Sequence, residues 1–403
     1  MGKAVFWSVP AHGDTNPLLG TLEELVDRGE EVIYYGNEEF RDAVETTGAQ
    51  FRPFKGEVDS IEFDLAETDF VGFLCSLLAY GLDKLIHNLE DVRRERPSYV
   101  VHGCMCSWGK MLGQLLGVKT VNLIHSAPLS DEDIPKGPHE LFSIFLPLIG
   151  RIIASKFNGN SLPAQFKKRF GININWLDLG ANIEDLNVVY SSTFLTPELA
   201  EREGSYRFVG PSLFFKNHKS NQEGLSFQKK ADTPLLYVSL GTIHSHNQRF
   251  FEKCIQAFET KPSWQVLLCV GKKLSATDFG PLPDNITMAQ WVPQQEVLGQ
   301  VDLFLTHAGM NSVNEALYYG VPMLLFPHHM EQAANAKRVT RLGCGETLDV
   351  HRVTPAELLK MAERVLETPS YGERAQHYSK IVQKDAEQSV KNAADAILEY
   401  ARS

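Results

Sequence analysis

The chain has 403 residues, which is enough for two domains with separate hydrophobic cores. Hydrophobic residues make up 43% of it and charged residues 22%, the composition of an ordinary globular protein. A formal net charge of −11 argues against nucleic acid as the main ligand, although it leaves room for a local phosphate site.

The first half alternates strands and helices. Its predicted elements are, in chain order, strand 4–9, loop PAHGDTNP at 10–17, a helix that ends at Gly29, strand EVIYYG, helix 59–95, strand SYVVHG, helix GKMLGQLLG, strand KTVNLIH and a largely helical segment at 138–170. A strand–helix–strand unit of about thirty residues implies a parallel sheet with right-handed crossovers. No element is predicted with this clarity between 171 and 215.

A second series of elements follows a polar segment at 216–233, which lacks apolar periodicity and is predicted to be a linker. The predicted elements are strand PLLYVSLGT, helix RFFEKCIQAFET, strands WQVLLCVG and NITMAQ, and helices 355–367 and 371–401. The sequence therefore predicts an α/β fold with two Rossmann-like domains, residues 1–215 and 234–375.

Neither a leader nor a membrane span is expected. The N-terminal segment KAVFWSV is too short for the apolar region of a signal peptide. The apolar run at 141–154 is interrupted by Pro147, Gly150 and Arg151, so it is predicted to be core or to line an acceptor site, with membrane contact as the alternative. The six cysteines lack zinc-binding spacing and are expected to be reduced thiols of a cytoplasmic protein.

The stretch WVPQQEVLGQVDLFLTHAGMNSVNEALYYGVPMLLFPHHMEQ, from Trp291 to Gln332, carries the most information. Buried strands at 301–307 and 321–327 enclose a helix, and ligands bind at the carboxyl ends of such strands. A helix that starts near Asn311 would offer unpaired N–H groups and a partial charge of about +0.5 to a phosphate. Glu315, on the same helix face, could accept hydrogen bonds from a ribose, and Trp291 could stack on a base.

This stretch resembles the donor-binding signature of family 1 glycosyltransferases, and in particular the bacterial macrolide-type enzymes. The resemblance implies the GT-B fold, two Rossmann-like domains with parallel sheets that face a central cleft. It also implies that the C-terminal helix, residues 376–403, crosses back to the first domain. The donor implied is a uridine diphosphate sugar (UDP-sugar), most simply UDP-glucose, with no permanently bound cofactor and no metal.

The resemblance assigns the residues of the donor site. It implies Trp291 for the base, His307, Asn311 and Ser312 for the phosphates, Glu315 for the ribose, Glu331 and Gln332 for the sugar hydroxyls, and Val292, Gln294 and Gly309 as further residues of the motif. Ser239, Gly241 and Thr242 of SLGT are predicted to meet the diphosphate, although a Ser or Thr after a strand is also a common helix cap. His244 and His246 have no Cys or carboxylate cluster beside them, so they are not predicted to bind metal.

The first loop departs from the family pattern. Many relatives carry a His in a loop such as PAxGHxNP, oriented by an Asp at a later strand end. Here Asp14 stands at the place of that His, His12 lies two residues earlier, and Gly103 stands at the place of the Asp. Because a carboxylate base needs no second carboxylate to set a tautomer, Asp14 is predicted to be the general base. His12 is the alternative base. A third alternative is that no residue of this loop acts as a base, because the acceptor is acidic enough to react without one or because the loop serves structure only.

Together these features predict an inverting, metal-independent transferase that moves a hexose from a UDP-sugar to a hydroxyl of a small hydrophobic acceptor, such as a flavonoid, macrolide or other polyketide. One alternative is a catalytically weak UDP-sugar-binding sensor or activating partner. Another is a transferase to a lipid or cell-wall precursor, for which Lys156, Lys167, Lys168 and Arg169 form only a modest basic cluster. The acceptor, a uracil or thymine donor base, and the oligomeric state are not determined by the sequence.

Overall fold

A computed structural model describes residues 2–58, 70–125, 150, 161–176, 179, 182–200, 205–213, 227–241 and 247–403. The chain divides into two compact units, Met1–His218 with Ala386–Ser403, and Lys219–Asp385. Each unit is α/β and contains one parallel sheet, as the sequence predicts. Most of the predicted linker, most of the helical segment at 138–170, the apolar run at 141–154, and the residues Thr242, His244, His246 and Lys156 lie outside the described residues.

The first unit is built on a seven-stranded sheet. Its strands are β1 Lys3–Trp7, β2 Glu31–Gly36, β3 Gln50–Pro53, β4 Tyr99–Gly103, β5 Lys119–Ile124, β6 Leu186–Val189 and β7 Tyr206–Phe208. The strand order is β3-β2-β1-β4-β5-β6-β7, so the direction of winding reverses between β1 and β4. Open α/β sheets bind their ligands at the carboxyl ends of the strands at such a reversal.

Helices cover both faces of this sheet. The described helices of the first unit are α1 His12–Asp27, α2 Arg41–Thr46, α3 Phe70–Glu95, α4 Ser107–Leu116, α5 Leu162–Phe170 and α6 Pro197–Ala200. Leu18, Leu22 and Leu25 of α1 are buried on one face, and α3 and α4 bury Leu85 and Trp108 on the other. Three strands and two short helices here, β3, β6, β7, α2 and α6, were not predicted, because they are too short to show a period.

Helix α1 begins earlier than the sequence predicts. The segment at 10–17 was predicted to be a loop, but the helix starts at His12, with the Thr15 N–H donating to the Ala11 carbonyl at 2.9 Å and with Pro17 inside it. A proline this close to the start removes one helical hydrogen bond, which is less disruptive than in the middle of a helix. Asp14 therefore lies in the first turn, where the helix dipole favours a carboxylate.

The second unit is built on a six-stranded sheet. Its strands are β8 Leu235–Ser239, β9 Gln265–Cys269, β10 Ile286–Ala289, β11 Leu303–Thr306, β12 Met323–Leu325 and β13 Gly345–Thr347, and its helices are α7 Gln248–Phe258, α8 Gln294–Leu298, α9 Met310–Tyr319, α10 Met330–Leu342 and α11 Pro355–Glu367. The order is β10-β9-β8-β11-β12-β13, which reverses between β8 and β11. The predicted strand–helix–strand unit is confirmed as β11, α9 and β12.

The last helix, α12, runs from Pro369 to Arg402. In its first part the Ser379 hydroxyl donates to the Tyr318 carbonyl at 2.6 Å, a contact within the second unit. In its last part the Ser389 hydroxyl donates to the Gly210 carbonyl at 2.7 Å, and Ile397 is buried in the core of the first unit. In the part of the chain that is described, no helix combines the length and hydropathy needed to cross a bilayer.

We expect Ile397→Ala to lower the free energy of unfolding of the first unit by about 2–5 kcal/mol, because it removes a buried side chain and leaves a cavity. Ile397 is 0% exposed and packs among residues of β1, β2 and α1. Glu399→Ala, an exposed site on the same helix, is the control and should change stability little. Urea unfolding measures both. Equal values for the two variants would contradict the packing of this helix.

Candidate active site

The residues predicted to bind the donor phosphates lie at the winding reversal of the second unit. Ser239 is the last residue of β8, and His307 directly follows β11. Gly309 is the residue before α9, and Asn311 and Ser312 lie in the first turn of that helix. In general the first backbone N–H groups of a helix have no partner within the helix, which makes the start of a helix a favourable site for an anion.

The imidazole of His307 lies against two glycines. A β-carbon at Gly309 would be 2.4 Å from His307 Nε2, and one at Gly241, whose φ is +72°, would be 2.6 Å from His307 Cε1. Both glycines were predicted as donor-binding residues, and the structure gives them a definite task, which is to make room for this ring. Burial, with further lowering by His328 and His329, brings the pKa of His307 down to about 3. A neutral imidazole can donate one hydrogen bond to a phosphate oxygen.

Gln294 forms hydrogen bonds with two other predicted donor residues, Ser312 and Glu315. Its side-chain amide donates to Glu315 Oε2 at 2.5 Å and to Ser312 Oγ at 3.3 Å. The Tyr237 hydroxyl donates to Gln294 Oε1 at 3.1 Å, and the Gln295 amide donates to Glu315 Oε1 at 3.2 Å. Burial raises the pKa of Glu315, and the two glutamine hydrogen bonds oppose that rise. The carboxylate that the sequence assigned to the ribose is therefore held in one orientation.

Tyr237 and Gln295 were missed by the sequence analysis. Tyr237 lies two residues before Ser239 on β8, so the period of two places it on the same face of the strand. Gln295 is adjacent to the predicted Gln294, in the first turn of α8. In both cases the available signal was that the residue lies close in sequence to one already assigned to the donor site.

The pair predicted to meet the sugar, Glu331 and Gln332, lies in the first turn of α10. The Asn335 amide donates to Glu331 Oε1 at 2.6 Å and to the Ala308 carbonyl at 3.0 Å. The His328 backbone N–H donates to Gln332 Oε1 at 2.9 Å. Asn335, which the sequence analysis missed, therefore ties Glu331 to the turn before α9. It lies four residues after Glu331, which is the spacing of one helix face.

Trp291, Val292 and Thr242 complete the set of predicted donor residues. Trp291 is half-buried in the segment between β10 and α8, and Val292 beside it is buried. Thr242 lies outside the described residues. The stacking of a base on Trp291 stays a prediction.

Asp14, the predicted base in the first unit, is paired with a histidine. Asp14 Oδ1 lies 3.1 Å from Nε2 of His125, and the two side chains are 17% and 12% exposed. His125 directly follows β5, whereas Asp14 follows β1. The sequence analysis did not predict this partner, although His125 ends the predicted strand KTVNLIH. The available signal was its place at the carboxyl end of a strand of the same sheet.

The side chain of His12 contacts Glu39 and Phe40. Its Nε2 lies 4.0 Å from Glu39 Oε2, its ring packs edge-on against Phe40, and its side chain is 47% exposed. The structure therefore does not bring His12 together with Asp14. At Gly103, where relatives carry the orienting Asp, a β-carbon would lie 2.8 Å from Ser8 Oγ.

Comparison with known proteins identifies the family of the chain. A family model described as UDP-glucoronosyl and UDP-glucosyl transferase matches residues 216–398, which include the whole donor motif. The NDP-glycosyltransferase YjiC of Bacillus subtilis (strain 168) is 30% identical over 365 residues, 89% of this chain and 87% of the relative. The chain belongs to the UDP-glycosyltransferase family. The predicted membership of family 1 is thus confirmed, and the protein is a glycosyltransferase.

Two further similarities extend over nearly the whole of this glycosyltransferase. YojK of Bacillus subtilis (strain 168), named an uncharacterized UDP-glucosyltransferase, is 28% identical over 417 residues, 99% of this chain and 97% of the relative. A crystal structure described as the glycotransferase of kitacinnamycin matches with a TM-score of 0.80 at 25% identity, over 99% of this chain and 98% of that one. With the two parallel sheets described above, these similarities confirm the GT-B fold.

Other groups in the glycosyltransferase have simpler explanations. All six cysteines are free thiols. Among the described residues, no group of three or more His, Cys, Asp or Glu is arranged to hold a metal ion. Lys167, Lys168 and Arg169 are exposed in the last turn of α5, where cations complement the helix dipole.

The glycosyltransferase is expected to lose stability in acid through His329. This residue occupies the N-cap position of α10, and burial lowers its pKa to about 4, whereas an unfolded histidine titrates near 6.5. The unfolded chain therefore binds more protons between these values, so stability falls as the pH drops below about 6.5. We expect His329→Asn, which still caps a helix but does not titrate, to lose about 1–2 kcal/mol less than wild type between pH 7.5 and 5. Urea unfolding at both pH values measures this, and the same loss in both proteins would contradict it.

Proposed function

We propose that this glycosyltransferase moves a hexose, most simply glucose, from its UDP-sugar to a hydroxyl of a small hydrophobic acceptor, with inversion at the anomeric carbon and without a metal. The observation that carries the proposal is the grouping of the predicted donor residues at the reversal between β8 and β11. His307, the start of α9 and the Gln294–Glu315 contacts lie there together. A cytoplasmic location belongs to the same proposal and is supported by the free thiols.

The donor proposal assigns one task to each part of this group. The first turn of α9 and His307 bind the diphosphate and stabilise its charge as it leaves. Glu315 accepts hydrogen bonds from the ribose, and Trp291 stacks on the uracil. Glu331 and Gln332 contact the sugar hydroxyls, and the Asn335 contact supports them by holding the Glu331 carboxylate.

The transfer step needs a base in addition to the donor site. In the proposed mechanism Asp14 takes the proton of the acceptor hydroxyl while the acceptor oxygen forms a bond to the anomeric carbon. The bond from that carbon to the phosphate oxygen breaks, and UDP leaves with the bonding electrons. Because the acceptor attacks opposite the leaving group, the configuration inverts. No covalent intermediate on the protein is required.

The acceptor class is supported by similarity alone. The solved structure described above is the glycotransferase of kitacinnamycin, and it covers 99% of this chain at 25% identity. From this we infer a natural product with a free hydroxyl, of the flavonoid, macrolide or polyketide type. The particular acceptor and its reacting hydroxyl are left to experiment.

The proposal is tested by UDP release with UDP-glucose, UDP-galactose and TDP-glucose against a panel of phenols and macrolides. We expect turnover above the rate without acceptor for at least one acceptor, with UDP-glucose as the best donor. The anomeric coupling constant in the NMR spectrum of the product reports inversion, since an α-linked donor should give a β-linked product. An α-linked product would contradict the mechanism. Tight binding of UDP-glucose with no transfer to any acceptor would instead favour the sensor hypothesis.

A further inference from the structure

Two positions in the first unit depart from the family pattern, and a third residue contacts one of them. Asp14 replaces the loop histidine and Gly103 replaces the orienting aspartate, while His125 lies against Asp14 from the end of β5. We propose that His125 is a positioning residue for the reaction, acting through Asp14 in a histidine–carboxylate pair with exchanged roles. The loop supplies the carboxylate and a strand end supplies the imidazole. The inference rests on the proposed function, in which Asp14 is the base.

The sheet topology explains how residues so distant in sequence come into contact. Strand β4 lies between β1 and β5, so a side chain after β1 must pass the end of β4 to reach one after β5. Gly103, the last residue of β4, has no side chain to obstruct that path. An aspartate at 103 would also place its β-carbon 2.8 Å from Ser8 Oγ. The absence of the usual aspartate and the presence of the His125 contact are therefore two parts of one arrangement.

The imidazole of His125 has a second neighbour, the sulfur of Cys104. Cys104 Sγ lies 3.8 Å from both ring nitrogens. Cys104 is itself held by its backbone, since its N–H donates to the Leu123 carbonyl at 3.1 Å and its carbonyl accepts from the Asn182 amide at 2.7 Å. The ring is thus bounded by the carboxylate and by a fixed sulfur, so its position is set by the fold.

The charges around Asp14 and His125 also support this assignment. Burial lowers the pKa of His125, but the Cys104 sulfur and the Asp14 carboxylate raise it, and the net direction is well above the usual range. Tyr34 and Cys106 also face Asp14, and burial raises the pKa of both, so they are neutral near pH 7. Asp14 Oδ1 is buried without a well-aligned hydrogen-bond donor. The imidazolium of His125 is therefore the positive charge that stabilises this carboxylate.

A specific role follows from this charge state. A His125 that is already protonated cannot take a further proton, so it does not serve as the base. Its Nε2 holds one carboxylate oxygen, Oδ1, at 3.1 Å, and in the proposed mechanism the other oxygen takes the proton of the acceptor hydroxyl. Without His125 the carboxylate would lose the charged neighbour that fixes its position.

The first experiment establishes the pair without any need for turnover. The imidazole resonances of His125, assigned by their loss in His125→Gln, are titrated by NMR in wild type and in Asp14→Asn. We expect the wild-type ring to titrate above the ordinary histidine range and the Asp14→Asn ring to titrate at lower pH. An unchanged titration in Asp14→Asn would overturn the inference.

The second experiment separates positioning from mere stability. We expect His125→Gln to lower kcat by about tenfold or more while the KM for UDP-glucose changes little, because the variant disturbs the base and not the proposed donor residues. The matched control is His102→Gln on the neighbouring strand β4, where His102 Nε2 lies 3.2 Å from Glu184 Oε1 and the ring is fully buried. That variant removes a similar histidine–carboxylate pair and should leave kcat nearly unchanged. Equal losses of kcat in the two variants, or a loss in His125→Gln that falls mainly on KM, would overturn the inference.

A third variant tests the exchange of roles directly. Asp14→His combined with His125→Asp returns the histidine to the loop and keeps the combined length of the two side chains. We expect kcat/KM of the double variant to exceed that of either single variant by about tenfold, the mark of coupled sites. If the losses of the two single variants simply add in the double variant, the inference is overturned. Turnover by wild type in the same experiment would still support the proposed function. Absence of wild-type turnover with every acceptor would instead overturn the proposed function and this assignment together.

Discussion

Asp14→Asn is expected to lower kcat for sugar transfer by about 100-fold or more, with UDP affinity unchanged. Asparagine has nearly the shape of aspartate but cannot take a proton from the acceptor hydroxyl. Asp14 lies in the first turn of α1 in the first unit, whereas the predicted donor residues lie in the second, so the loss should fall on kcat alone. Steady-state kinetics with saturating UDP-glucose, together with calorimetric titration of UDP, measures the two effects separately.

The matched control for this prediction is His12→Ala. His12 is two residues away on the same helix but is 47% exposed beside Glu39, so its removal should change kcat by less than about threefold, since exposed sites tolerate substitution. The choice between the two candidate bases then reduces to a direct comparison of two variants. A large loss in His12→Ala with a small loss in Asp14→Asn would transfer the role of base to His12.

Gly241→Ala is expected to weaken UDP binding by about tenfold or more, which corresponds to at least about 1.4 kcal/mol. The new β-carbon would lie 2.6 Å from His307 Cε1, so the imidazole must move away from the position where it would meet the diphosphate. The φ of +72° at Gly241 adds backbone strain of about 1–2 kcal/mol for any residue with a side chain. Calorimetric titration of UDP gives the affinity, and urea unfolding gives the strain.

Two further glycines separate displacement of His307 from strain. Gly280 has a φ of +75° and no atom within 4 Å of an added β-carbon, so Gly280→Ala carries the strain without the collision. Gly309 has a φ of −61° and a β-carbon position 2.4 Å from His307 Nε2, so Gly309→Ala carries the collision without the strain. We expect UDP binding to weaken in Gly241→Ala and Gly309→Ala but not in Gly280→Ala. Equal UDP affinities in all three variants would show that His307 does not take part in donor binding.

Most residues of the proposed donor site lie in one continuous segment, so the sequence displays them together. Strand β11, the turn after it, α9 and β12 are contiguous in the chain, so their periodicity and their small turn residues are visible together. The contacts among these residues could not be predicted from the sequence in the same way. Tyr237 and Asn335 are contributed by β8 and α10, and neither carries a feature that distinguishes it from an ordinary core or helix residue.

The start of α1 shows why a local rule can fail. Gly13, Asn16 and Pro17 are turn-forming residues, and their density predicted a loop. The helix forms nonetheless, because Leu18, Leu19, Leu22 and Leu25 are buried against the sheet and this packing outweighs weak propensity in the first turn. The error matters for chemistry, since it concealed that Asp14 is held at a helix N-terminus.

By itself the sequence determined the α/β class, the two parallel-sheet domains, the family and the identity of nearly all proposed donor residues. These properties follow from hydrophobic periodicity and from a motif contained in one continuous segment. Tertiary structure alone decided that His12 faces Glu39, that two glycines accommodate His307, and that Asp14 contacts His125. The physical reason is strand order: β1, β4 and β5 are neighbours in the sheet although long segments separate them in the chain, and periodicity within a strand does not record which strands will pair.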